Sequence, residues 1–221
     1  RLGTLPLSLR LVRELHGKLL AGVRGNSATP GAFRRSQNWI GPAGCTLADA
    51  SFVPPPADRL MECLGAWETF LHDDSLPPLA HAALAHSQFE AIHPFLDGNG
   101  RVGRLLVTLL LVAKGVLPAP LLYLSAYFEV TRQEYYARLL AVTDKGQWEE
   151  WLHYFFRGVT GQAEDALGRI QRIDALLVRW REQLAGASSK LPWLALDRFT
   201  ENPFWTVNGL AARLGVAFTT A

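Results

Sequence analysis

Residues 79–113 read LAHAALAHSQFEAI, then HPFLDGNGRVGR, then LLVTLLLVA. The first part, Leu79 to Ile92, and the stretch from Val102 to Ala113 are apolar almost all round. A helix with that pattern is buried on most of its faces. The two are therefore expected to be the central pair of an α-helical domain. The polar loop between them is then held by the most rigid part of the molecule.

Outward from this pair, helical periodicity dominates. Leu5 to Leu20 carries an i, i+3/i+4 stripe of Leu9, Val12, Leu15, Leu19 and Leu20. Gly22, Gly25, Asn26, Pro30 and Gly31 mark a loop. Phe33 to Ile40 reads as a short strand, broken by Gly41-Pro42-Ala43-Gly44. Ser51-Phe52-Val53 can return as its partner before Pro54-Pro55-Pro56, which cannot donate to a ladder. Residues 35–53 are thus expected as a β-hairpin in an otherwise helical chain. Further helices are expected over Asp58–His72, from Pro77-Pro78 to Ile92, over Arg101–Lys114 and over Thr131–Val142. Two more are expected over Gln147–Gln171, with breaks at Gly158 or Gly161, and over Ile173–Leu184. Residues 186–190 form a small-residue linker, and 191–221 read as a separate small unit.

The chain has 221 residues, a formal net charge of +2 and 49% hydrophobic residues. A disordered chain would have too little apolar surface to offset its ordering entropy. So small a net charge does not mark a nucleic-acid binder by bulk electrostatics. Cys45 and Cys63 are too few for a disulfide scaffold and lack metal-ligand spacing. The longest apolar run, Leu105 to Ala113, is about half of what a membrane span needs. The expectation is a cytoplasmic protein without a membrane partner. The start at Arg1 and the stop at Ala221, inside what reads as a motif, suggest a fragment.

The central loop holds the chemistry. Gly98 and Gly100 flank Asn99, which lets the backbone take positive φ and approach a ligand closely. Successive N–H groups in such a turn can form an anion nest, and the turn leads into a helix N-terminus. Arg101 and Arg104, three apart, share a helix face. Cations at that end disfavour the helix unless an anion fills the space, and phosphate is the natural guest. Asp97 sets a carboxylate beside the phosphates, the usual way of holding Mg2+. His93, tethered by Pro94, has an ordinary pKa of about 6.5, which suits a general base near neutral pH. Base, metal ligand, nest and two arginines within twelve residues point to nucleotide-dependent group transfer. Phe95 and Leu96 read as anchors pinning the loop to the core.

With these residues in place, the chain resembles the Fic family. His93 to Arg104 matches the family motif, His-x-Phe-x-Asp/Glu-Gly-Asn-Gly-Arg-x-x-Arg, with no departure. Arg34 to Gly41 and Phe52 to Pro56 look like the arms of the family's flap hairpin, and Leu124 to Phe128 with Tyr135-Tyr136 like the segment after the central helices. The resemblance spans about residues 5–185 and implies an all-α Fic fold over 1–185. It implies transfer of AMP from ATP to a Ser, Thr or Tyr hydroxyl of a target protein or of the chain itself, with release of pyrophosphate. By that analogy His93 is the base and Asp97 the Mg2+ ligand. Gly98, Asn99 and Gly100 form the anion hole, while Arg101 and Arg104 hold the outer phosphates. Tyr136, with Tyr135, lies near the adenine; Gln37, Asn38, Trp39 and Ile40 belong to a flap that docks the target by strand addition. Gly100 stands where a Doc-type kinase has lysine, which favours nucleotidyl transfer. Family members with this organisation are often homodimers. The family's inhibitory Ser/Thr-x-x-x-Glu-Gly/Asn motif is not matched, since Val130 follows Ser125 to Glu129.

Trp205 to Val216 reads as a helix capped by Thr206 and ended by a glycine turn, with Phe218 opening another. This resembles the first half of a winged helix-turn-helix, cut before its recognition helix, which admits DNA as a partner of a longer chain. Two alternatives stand beside AMP transfer: a nucleotide-sensing regulator, and a transferase moving another phosphate-containing group.

Overall fold

A computed structural model describes residues 7–21 and 29–220. Leu5, Pro6, Gly22, Gly25 and Asn26, to which the sequence assigns a helix start and a loop, lie outside the described residues. By internal packing the chain divides into two compact units, Arg1–Ala163 and Glu164–Ala221. The division lies inside a helix, upstream of the 186–190 linker expected from composition.

In the first unit, α1 spans Leu9–Leu20 and is capped by Ser8, whose hydroxyl accepts from the Leu11 amide. α2 spans Leu60–Leu71, α3 Pro78–Ile92 and α4 Asn99–Ala113. Pro78 opens α3, where its missing N–H costs nothing. α5 spans Leu124–Val130 and α6 Arg132–Lys145, and α7, Trp148–Leu184, begins in this unit and runs on into the second. α3 and α4 form the central pair, with α2 and α6 against α3 and α1 against α4. Ala82, Ala83, Ala85 and Phe89 of α3 and Val102, Leu106, Val107 and Leu111 of α4 are buried in one core. Trp67 and Trp151 pack on α3 and keep their indole N–H groups satisfied, donating to Ala85 O and Ala83 O, each at 2.9 Å.

Three expectations change. Helix α4 starts at Asn99 rather than Arg101, because Gly98 takes the left-handed conformation (φ 83°) and acts as its N-cap. α7 is one helix of 37 residues, with Gly158 and Gly161 inside it. Gly158 is there for room: a Cβ would come 2.5 Å from the Tyr127 ring. The hairpin over 35–53 shrinks to a single antiparallel bridge, Ile40 with Phe52, and no strand is found among the described residues. Ile40 and Phe52 exchange both backbone bonds, at 2.9 and 3.1 Å. The next bonded pairs of that register would be 38 with 54 and 42 with 50. Pro54 and Pro42 occupy one side of each, and neither can donate. The turn between the arms holds a 3-10 turn, Leu47–Asp49.

The second unit contains the distal part of α7, then α8 (Leu191–Glu201) and α9 (Val207–Leu214). Thr206 caps α9 by accepting from the Gly209 amide at 3.0 Å, and Gly215 ends it in the left-handed conformation. Trp180 meets Phe199 edge-on, at 6.5 Å between ring centroids. No described helix is long and apolar enough to cross a membrane.

At Gly103 the backbone of α4 lies close against α3. A Cβ there would meet Glu90 Oε1 at 2.3 Å, Phe89 Cδ1 at 3.1 Å and His86 Cε1 at 3.2 Å. Alanine gains about 1 kcal/mol of helix propensity over glycine, but overpacking a core typically costs about 1–3 kcal/mol. With two rings and a carboxyl to displace together, Gly103→Ala is expected to lower stability by about 1 kcal/mol net. Urea unfolding followed by circular dichroism checks this; a higher midpoint would show that the contact has slack.

Candidate active site

The C-terminal end of α3 places His93. Its amide donates to Phe89 O at 3.0 Å as the helix cap, and its backbone is left-handed (φ 47°, ψ 62°). A non-glycine residue in that region carries strain of about 1–3 kcal/mol, which persists only where the surroundings over-determine it. Here they do. Arg34, 3% exposed, donates from Nε to His93 O at 3.0 Å and from its terminal nitrogens to the carbonyls of Ser36, Pro55 and Ile92. Its amide donates to Pro94 O at 2.9 Å. Asn38 Nδ2 adds bonds to His93 O (3.3 Å) and Phe95 O (3.1 Å).

Two further side chains fix the loop. Asn99, 2% exposed, accepts at Oδ1 from the Phe95 amide and donates from Nδ2 to Phe95 O, both at 2.8 Å. His16 of α1 stacks on Phe95, with ring centroids 3.7 Å apart and planes within 4°. The Gly31 amide donates to His16 Nδ1 at 2.8 Å. The proton of His16 is therefore on Nε2, which donates to Asp97 O at 3.0 Å. His16 must stay neutral for this pattern, and burial lowers its pKa accordingly.

The same logic sets the tautomer of His93. Its Nδ1 faces Glu90 O at 3.3 Å. A carbonyl only accepts, so Nδ1 carries the proton and Nε2 keeps a free lone pair. Burial, helped by the Arg34 cation, lowers its pKa to about 4. The ring is thus neutral near pH 7 and ready to accept a proton.

A cavity of about 630 Å³ opens against this ring, within the range of small-ligand sites. His93, Gly100, Arg104, Tyr135, Tyr136, Trp39 and Ile40 of the sequence-predicted residues line it. The remaining ones sit around it. The first intrahelical bond of α4 runs from the Val102 amide to Gly98 O, so the amides of Asn99, Gly100 and Arg101 have no intrahelical partner. Arg101 ion-pairs with Asp97 at 3.4 Å on the exposed side of the loop, while Arg104 faces the cavity. The other Asp97 oxygen accepts from the Gly98 amide at 2.6 Å. No cluster of three metal-binding side chains exists among the described residues; Asp97 is a single exposed carboxylate next to the free amides. Gln37 and Asn38 are turned inward, Gln37 donating to Asn38 O and Pro54 O. Tyr135 is buried, its hydroxyl 2.9 Å from His86 Nε2, whereas Tyr136 is 52% exposed beneath the Arg132 guanidinium.

Sequence reading passed over His16, Arg34, His86 and Glu90 as parts of the site. Arg34 belongs to the flap arm already singled out, but nothing in the local sequence marks it rather than Arg35 as the buried one. Glu90 and His86 lie on an apolar helix, where each interrupts the pattern.

Comparison with known proteins gives this geometry a context. The Fic/DOC family model matches residues 6–111. A protein adenylyltransferase Fic of Drosophila virilis is 39% identical over 117 residues, covering 52% of this chain and 22% of the relative. One of Drosophila ananassae is 37% identical over 117 residues, covering 52% and 21%. The matched segment thus spans about a fifth of these relatives. A Fic family protein from Desulfovibrio desulfuricans G20 superposes with a TM-score of 0.65 at 22% identity, covering 95% of this chain and 57% of that one. Fic-1 (aa134 - 508) from C. elegans does so with a TM-score of 0.58 at 27% identity, covering 75% and 44%. The all-α Fic fold is common to them and this chain.

Burial lowers the pKa of four histidines: His16, His81, His86 (to about 3) and His93 (to about 4). Below the unfolded value of about 6.5, the unfolded chain binds protons that the folded chain refuses, so stability is lost as pH falls. Glu90, raised to about 7 by burial, opposes this between its unfolded value and pH 7, one group against four. The unfolding temperature is therefore expected to fall steadily from about pH 6.5 to about pH 4. Thermal scans across that range check it, and a flat profile would contradict it.

Proposed function

Because residues 6–111 match the Fic/DOC family model, we propose that the chain is a protein adenylyltransferase that moves AMP from ATP to a hydroxyl side chain. The observation that carries this reading is His93. A site that only bound phosphate would need the free amides and Arg104 but no neutral imidazole with an unoccupied Nε2 at the cavity wall. The adenylyltransferases of the two Drosophila relatives agree with it.

In this reading the triphosphate lies on the amides of Asn99, Gly100 and Arg101, with Arg104 on its outer phosphates. The target's hydroxyl oxygen attacks the α-phosphorus. Its proton passes to His93 Nε2, the bond from the α-phosphorus to the bridging oxygen breaks, and pyrophosphate leaves. Developing negative charge meets donors already aimed at it, so little reorganisation is needed. A pKa of about 4 keeps the base unprotonated but makes it a weak proton acceptor. The arriving phosphates raise it toward neutrality, where general-base catalysis is most effective. Asp97 would hold Mg2+, a metal commonly bound by one or two carboxylates together with substrate phosphates; there it would neutralise phosphate charge. Tyr136, exposed at the cavity, offers an aromatic face to the adenine, and Tyr135 holds the wall behind it through His86. Trp39 and Ile40 at the cavity mouth are the flap residues that would meet the target. Residues 191–221 fit the first half of a winged helix-turn-helix.

ATP labelled on either the α- or the γ-phosphate tests this. Label from the α-position alone is expected on protein. Label from γ alone would mean a kinase, and binding without any transfer would mean a nucleotide sensor. His93→Ala is expected to keep nucleotide binding and to slow transfer by about 10²–10⁴. Undiminished transfer would remove His93 from the role of base.

A further inference from the structure

Glu90 lies on the cavity wall, one turn before His93, and is the one acidic side chain among the residues lining the cavity. Its Oε1 is shielded from solvent and has no hydrogen-bond partner. Such an atom is costly in a folded chain unless something arrives to satisfy it. Space is reserved for it, since Gly103 lacks the Cβ that would stand 2.3 Å away. The same oxygen is 4.0 Å from where a Cβ on Gly100 would be, so it adjoins the anion-binding turn.

The charged and titratable groups around it are few. On α3 there are His93 and His86, both held neutral by burial. Arg104 comes from α4, and α6 supplies Arg132, Tyr135 and Tyr136. The flap residues at the cavity, including Trp39, Ser51 and Phe52, bring no charge. Neither Glu90 nor Arg104 takes part in an ion pair among the described residues. In the free protein, Arg104 is thus the cation that favours ionised Glu90, against the burial that opposes it. A bound triphosphate would claim Arg104 and add several negative charges beside the carboxyl. Two like charges so close in a poorly hydrated site do not both stay ionised.

We infer that Glu90 is a phosphate-facing residue of this site, taking up one proton from solvent as a nucleoside triphosphate binds and meeting it as a neutral carboxylic acid. The carboxyl then stands beside the phosphates without charge, and the shielded Oε1 no longer bears an unpaired negative charge. This rests on the nucleotide reading above and adds to it a titrating acid within the binding cavity.

Calorimetry tests it without turnover. The Mg2+ complex of α,β-methylene ATP is titrated into the protein at about pH 8, in two buffers of different ionisation enthalpy. The wild type is expected to take up close to one proton per nucleotide. Its affinity should fall nearly tenfold per pH unit above about pH 7. Glu90→Gln, nearly the same in shape, should bind with no proton uptake and a flat pH profile. His93→Ala should keep the uptake, which separates Glu90 from the other titrating group at the cavity. Buffer-independent heats in the wild type, or equal uptake in Glu90→Gln, would overturn the inference and leave the nucleotide site standing. No binding by the wild type would overturn both.

Discussion

The site depends on one buried guanidinium. Arg34 donates to the backbone carbonyls of Ile92, His93, Ser36 and Pro55, and no carboxylate pairs with it among the described residues. Carbonyls at the end of a helix lack intrahelical donors. Arg34 supplies donors to that end of α3 and ties the flap arms to it in the same stroke. The strained left-handed backbone of His93 is tolerable because of this clamp. Shortening the side chain would release the helix end, the flap arms and the His93 backbone together.

A second consequence is electrostatic. The loop collects uncompensated positive character from Arg34, Arg104 and the free amides at the start of α4. The neighbouring histidines are pushed to the neutral form, each by burial first. Neutral rings beside fixed dipoles are what an anion site with a proton acceptor requires. Protonated imidazoles would bind phosphate more tightly and be useless as bases. The hydrogen bonds agree with that assignment, since Gly31 donates to His16 and Glu90 O accepts from His93.

Much of this was legible in the residues. Runs of apolar side chains from Leu79 to Ile92 and from Val102 to Ala113 announced the buried pair, and the glycines of the loop between them announced a left-handed turn into a helix N-terminus. Thr206 and Gly215 marked the ends of α9. The misreadings share a cause. Gly158 reads as a break in a one-dimensional pattern, but in space it is where a tyrosine ring passes. The hairpin over 35–53 was read from two short segments around a Gly-Pro turn, and the spacing of Pro42 and Pro54 around Ile40 and Phe52 shows its limit only once the register is known. The partners of His16 and Arg34 are 81 and 59 residues away in sequence. No local pattern carries such a pairing.

The clamp on His93 is made of a cation and neutral carbonyls. Mobile ions in solution weaken attraction between separated charges far more than a buried, short-range bond of this kind. Electrolyte therefore acts unequally on two properties of the site. It dampens the long-range pull of the positive loop on any anion, and it leaves the posture of the imidazole untouched. In a concentrated brine an anion would reach the pocket less often, but would find it in the same shape.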